Sequence, residues 1–229
     1  MSTEVAQFTL GAITVVGFVV WLIAFQFLVA AQRSGKPSHS LTIDQLSAQE
    51  LPENWLLGSV EVQGPQNALM DKAVRTLAKV STFYPGVIGP LKIVDRTNNR
   101  IAFERVGSMD SNPFYGGWYR QGRLMFEPLG ADRTRIDYAI EVSPARWLLV
   151  LGWLFQASGL IALIVGCWLV YTFCVSSPRP ELRWQTIQMV QAAHFLWPPF
   201  LFATLYRQRR KWVLTSFEAL VQNLPYAEA

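Results

Sequence analysis

The chain has 229 residues, enough for one or two domains, and a net charge of +4 that is too small and too scattered to specify a nucleic-acid partner. Hydrophobic residues make up 51% of it and concentrate in three blocks free of Asp, Glu, Lys and Arg, which points to a membrane and not to one large soluble core. Its two cysteines, Cys167 and Cys174, stand about 10 Å apart along a helix, so they imply neither a disulfide nor a thiolate metal site.

The first block, GAITVVGFVVWLIAFQFLVAA (Gly11 to Ala31), is long enough to cross a hydrocarbon core of about 30 Å, which takes roughly 20 helical residues. The residues before it carry Glu4 and no base, unlike the basic start of a cleaved signal peptide, so residues 1–32 are expected to be a retained anchor. Residues 33–54 are polar and rich in turn formers, and read as a tether. WLLGSVEVQG then reads as a strand. In PQNALMDKAVRTLAKVSTF, Pro65 suits a first helical turn, and Leu69, Ala73, Leu77 and Val80 make one helical stripe.

LKIVDRTNNRIAFERV predicts two strands turning at Asn98 and Asn99, and WYRQGRLMFEPLGADRTRIDYAIEV a second hairpin. In its last strand Ile136, Tyr138, Ile140 and Val142 alternate with Arg135, Asp137 and Glu141, so the first set is expected on the core side and the charged set in solvent. Strand, helix and two hairpins over residues 55–145 give an α+β domain, a mostly antiparallel sheet with a helix on one face.

Only Ser143 to Arg146 separate this sheet from the second block, Trp147 to Val175. The third, IQMVQAAHFLWPPFLFATLY (Ile187 to Tyr206), contains Gln188, Gln191, His194 and the pair Pro198-Pro199; it is expected to be a kinked span. Residues 146–206 would then form a hairpin, making three transmembrane helices with the anchor. In RRKWVLTSFEALVQNL the residues Trp212, Val213, Phe217, Leu220, Val221 and Leu224 fall at helical spacing, and Glu218 is the only ionised residue after Lys211. An interfacial helix carries bases along its whole polar face, so residues 207–229 are expected to pack on the α+β domain as its closing helix.

Basic residues favour the cytoplasmic side. Arg33, Lys36, Arg146 and the cluster from Arg207 to Lys211 place the domain and the tail inside and the N-terminus outside, against the dissent of Arg179 and Arg183. The expectation is a multi-pass protein of a bacterial inner membrane with a cytoplasmic main domain.

Strand, helix, a curved antiparallel run of strands and a long C-terminal helix resemble the helix-grip fold of the START and polyketide-cyclase-like superfamily. The resemblance is carried by WLLGSVEVQGPQNALMDKAVRTLA, GRLMFEPLGADRTRIDYAIEV and RRKWVLTSFEALVQNL, somewhat over half of the chain, with a membrane hairpin inserted before the last helix. It implies a cup that holds a lipid or other hydrophobic molecule between sheet and final helix. Ile136, Tyr138, Ile140, Val142, Phe217 and Leu220 would line that cup.

No catalytic chemistry is legible. The two histidines, His39 and His194, give no metal triad, and no nucleophile elbow, Walker loop, dinucleotide turn or zincin helix is present. GGWYRQGR lacks the following helix that phosphate binding needs. No enzyme, cofactor or metal is therefore expected. Gln156, Gln191 and His194 are polar groups at membrane depth, for which an interhelical hydrogen bond from the His194 stripe to Gln156 or Ser158 outweighs a proton or quinone role. The tryptophans fit an interfacial belt. The leading reading is a membrane-anchored, non-enzymatic binder of a lipid or other hydrophobic ligand; its main rival is an accessory subunit of a larger membrane protein complex, and an enzyme acting on a lipidic substrate comes third. A cup leaves a cavity beneath the closing helix, whereas a subunit fills it.

Overall fold

Residues 3–33, 55–79, 91–105, 120–142, 145–172 and 193–226 are described in the computed structural model. They divide into two units, Met1–Arg33 with Trp147–Arg207, and Ser34–Arg146 with Gln208–Ala229. Most of the tether, the stretches YPGVIGP and MDSNPFYGG, Gln188, Gln191 and Cys174 lie outside the described residues.

The second unit is built on the strands β1 (Trp55–Gln63), β2 (Leu91–Arg96), β3 (Arg100–Arg105), β4 (Gln121–Pro128) and β5 (Arg133–Glu141), in the spatial order β1-β5-β4-β3-β2. Every pairing is antiparallel. The hairpin turns fall where the Asn and Gly residues allow them: Thr97 N–H donates to Arg100 O at 2.9 Å, and Leu129 N–H to Arg133 O at 2.9 Å. Strand β1 closes the order by pairing with β5 from Trp55↔Glu141 to Gln63↔Arg133 without a bulge. Gly64, at φ 129°, turns the chain out of β1, a conformation side chains resist. Its N–H donates to Asp132 O and its carbonyl accepts from Thr134 Oγ1, both at 2.8 Å.

Helix α2 (Gln66–Lys79) buries Leu69, Met70, Ala73 and Leu77, the stripe expected from spacing, with Val80 outside the described residues. Directly opposed residues share a sheet face. Leu56, Gly58 and Val60 of β1, Ile136, Tyr138 and Ile140 of β5, and Gly122, Leu124 and Phe126 of β4 therefore form one apolar face. Two cross-strand pairs on it, Gly58↔Tyr138 and Phe103↔Gly122, set a ring over a glycine. A Cβ on Gly58 would lie 2.1 Å from the Tyr138 ring, and one on Gly122 2.3 Å from the Phe103 ring. The rings occupy the space that side chains would have filled.

The first unit contains α1 (Thr3–Arg33), α3 (Arg146–Val170, from Trp147 on), α4 (Ala193–Leu196) and the start of α5 (Pro198–Gln222). Two stretches, Gly11–Arg33 and Arg146–Leu169, are long and apolar enough to cross a membrane by length and composition. One side of α1 is buried at Gly17, Ala24, Leu28 and Ala31, while Val15, Val19 and Leu22 are exposed, as for a helix that is apolar all round.

The expected third span is not one of these two, and residues 187–192 of that block lie outside the described residues. Among the described residues only two helices meet that standard. Pro198 and Pro199 carry no amide hydrogen, so the short α4 ends before them and a new helix starts at Pro198. That helix does not stop at Tyr206; it runs through Arg207, Arg209, Arg210 and Lys211 to Gln222. The border drawn at residue 207 between a hairpin and a closing helix thus falls inside one continuous helix, of which the part from Gln208 on belongs to the sheet unit.

Candidate functional site

The six residues expected to line a cup are brought together by the fold. Ile136, Tyr138, Ile140 and Val142 come from β5 and the residue after it, and Phe217 and Leu220 from α5; all are between 0 and 4% exposed. The Phe217 ring lies 5.6 Å from that of Phe103, nearly parallel at 7°, and 6.4 Å from that of Tyr138. Phe103, from the neighbouring β3, was not among the expected residues. Its signal was available, as Gly122 in a strand marks a place where a ring can lie flat. Val213, Val221 and Leu224 complete the buried face of the closing segment, and Lys72 Nζ donates to Pro225 O at 2.5 Å, tying α2 to the turn Leu224–Tyr226.

Burial, aided by the Glu218 carboxylate, pushes the Tyr138 phenol up to about 12. The folded state then holds this proton to higher pH than the unfolded chain does. Its contribution to stability is fully present below about pH 10 and is lost as pH rises through about 12. In an ultraviolet titration one tyrosine should remain protonated after the exposed ones ionise, and Tyr138→Phe should abolish that late step. Ionisation of every tyrosine in one step near the ordinary value would refute the buried placement.

The two carboxylates assigned to solvent are also corrected: Asp137 and Glu141 are each only 8% exposed. They lie on the second face of the sheet, on a strand flanked on both sides. Arg135 Nε donates to Asp137 Oδ1 and to Ser59 Oγ, both at 3.0 Å, and the Arg123 guanidinium sits 5.7 Å from the Trp55 ring centroid. Glu141 Oε2 has no hydrogen-bond partner.

Within the apolar helix α3, Gln156 is 3% exposed, and its side-chain Nε2 donates to Trp21 O at 2.9 Å, while Trp21 Nε1 donates to Gln156 O at 2.9 Å. This reciprocal clasp joins α1 to α3. The partner expected for Gln156 was His194, which is exposed, and Ser158 donates to Leu154 O of its own helix at 2.9 Å. Gln191 falls outside the described residues. An indole donor inside an apolar block was the missed signal.

The Gln156 amide oxygen has no partner. Replacing Gln156 by Leu removes one hydrogen bond and one unpaired acceptor together, while the Trp21 bond to the main chain survives. The change should shift helix association by less than about 1 kcal/mol, as measured in a reversible detergent-unfolding titration. A loss well beyond that would show that the amide oxygen is engaged.

Among the described residues no group of three or more His, Cys, Asp or Glu could hold a metal ion. An open cleft of about 1060 Å³ lies elsewhere in the sheet unit, between the first turns of α2, the β2–β3 turn and the end of β4, and none of the six expected residues lines it. Comparison of the chain with protein-family models, curated proteins and solved structures finds no match.

Proposed function

We propose that the protein is a membrane-anchored, non-enzymatic accessory subunit of a larger membrane protein complex, with a cytoplasmic sheet domain that serves as a solid interaction module. The observation that carries this reading is the Phe103–Phe217 stack beside Tyr138, which occupies the space a lipid would need between sheet and closing helix. A small-molecule site is concave and largely preformed. Here that volume is taken by side chains from both layers.

Several features support the anchored, multi-pass part of the reading. Trp168 is 62% exposed near the end of α3, suited to the headgroup level, and the Arg207 guanidinium lies 4.6 Å from the Phe27 ring centroid, a base at the end of an apolar segment. Strand β1 beside the last strand, with a C-terminal helix on the apolar face, is the arrangement a helix-grip fold with an inserted membrane segment would have. The basic cluster after Tyr206 favours the cytoplasmic side of a bacterial inner membrane, with the N-terminus outside.

Native mass spectrometry of the gently solubilised protein tests the function. The proposal expects a larger assembly and no lipid held at one per chain; a single lipid species retained stoichiometrically by a monomer would restore the carrier reading. For orientation, Glu61→Cys and Thr215→Cys, in a background lacking Cys167 and Cys174, should label from the inside and Phe8→Cys from the outside. Labelling of Glu61→Cys and Thr215→Cys from opposite faces would overturn the topology.

A further inference from the structure

The two edges of the sheet are built differently. Strand β2, at one edge, has six residues, a bulge between Ile93 and Asp95, and the charged side chains Lys92, Asp95 and Arg96. Short length, a bulge and charge are devices that keep an edge from pairing with another chain. Strand β1, at the other edge, has nine residues in unbroken register, no proline, no lysine and one charge, Glu61. Among the described residues no strand pairs with its outer side.

The direction of its main-chain groups follows from two bonds. Gly64 N–H donates to Asp132 O, and Leu129 N–H donates to Arg133 O. Successive residues of an antiparallel strand bond to alternate sides. Even-numbered residues of β5 therefore bond to β1, and odd-numbered ones to β4. On β1, Leu56, Gly58, Val60 and Val62 bond inward to β5. Trp55, Leu57, Ser59, Glu61 and Gln63 turn their N–H and C=O groups outward, where only another extended strand can pair them all.

We infer that β1 is an interface between two copies of this chain, joined as antiparallel strands about a two-fold axis at Ser59. The strand complements itself along its whole length in that register. Leu56 opposes Val62 of the second copy and Gly58 opposes Val60, so the apolar face runs on across the joint. On the other face Ser59 meets its own copy, Leu57 meets Glu61, and Trp55 meets Gln63. Glu61 already stands opposite Arg135 of its own chain. Its counterpart would lie four residues away along the strand, about 14 Å, beyond the screening length of about 10 Å. No like charges are therefore forced together. Isologous pairing of this kind closes at two copies and consumes the edge. It goes beyond the accessory-subunit reading, which concerns other chains.

Ser59→Cys, in the full-length protein lacking Cys167 and Cys174 and kept in its membrane, tests the joint. Across the axis the two Cα atoms would stand about 5.5 Å apart, within disulfide range. Gln63→Cys would stand about 27 Å from its own copy. Mild oxidation should yield a covalent homodimer from the first variant and at most about a tenth as much from the second. Ser59→Lys or Ser59→Asp alone sets like charges across the axis and should weaken self-association about tenfold or more, read by sedimentation in detergent. Mixing those two variants should restore it. A monomeric unaltered protein, equal cross-linking at both positions, or self-association indifferent to charge at Ser59 overturns the assignment. So does a Ser59→Cys protein that cross-links to a different polypeptide. The subunit reading is judged separately, by whether other chains accompany the dimer.

Discussion

Replacing Phe217 by alanine should destabilise the sheet unit by about 3–5 kcal/mol, the cost of removing a buried phenylalanine from a packed core. The ring is 2% exposed and touches rings from two different strands, so its loss opens a cavity that neither β3 nor β5 can close without moving its backbone. Against a typical domain stability of about 5–15 kcal/mol, this removes a large share. The thermal midpoint of the unit should fall by roughly 10–30 °C, and its resistance to protease should fall with it. Phe217→Leu should retain most of the loss-sensitive volume and fall much less. If the alanine variant keeps its midpoint and protease resistance while the tail loses affinity for liposomes, the closing segment lies on lipid and the packing described above is wrong.

Gly122→Val should be the next most damaging change, against the usual trend. Valine is a better strand former than glycine, so in open space it should stabilise β4. At this position its Cβ would stand 2.3 Å from Phe103 Cζ and 2.8 Å from Cε2. A ring tip can often swing aside, but this one is held from above by the parallel Phe217 ring. Overpacking of this kind costs about 1–3 kcal/mol, and here it also breaks the ring stack. Combining Gly122→Val with Phe103→Leu should recover part of the loss, a positive coupling that a denaturation midpoint for each of the four proteins would reveal. Strict additivity would mean the ring does not lie over the glycine.

Both effects arise from features that were unevenly legible. The alternation from Ile136 to Val142 identified the buried face of β5, because a period of two reports which side of a strand is apolar. The hairpin at Asn98 and Asn99 was readable for a similarly local reason. The same period misassigned Asp137 and Glu141, since it is blind to side chains such as Trp55 and Arg123 that lean over from neighbouring strands. Pairing of β1 with β5 leaves no local trace, because the partners are far apart in the chain. The third apolar block was only partly legible for another reason: hydropathy averages over Pro198 and Pro199, where the main chain starts a new helix, and treats the following bases as an end although the helix runs on through them. Of the polar candidates in the apolar segments, Gln156 was found, but its partner Trp21 was hidden inside a block read only as apolar.

The closing helix has a consequence for how the molecule is made. A ribosome releases β1 to β5 first, then α3, and only much later the residues from Val213 to Leu224 that cover the apolar face. Until then Ile136, Tyr138 and Ile140 have no lid, since α2 packs against β2 and β4. The cover is supplied only by a chain that has also produced its apolar segments, so the nascent sheet stays open to chaperones and proteases while they are being made. Completion of the domain thereby reports completion of the chain: a product that stops before Val213 carries a bare sheet.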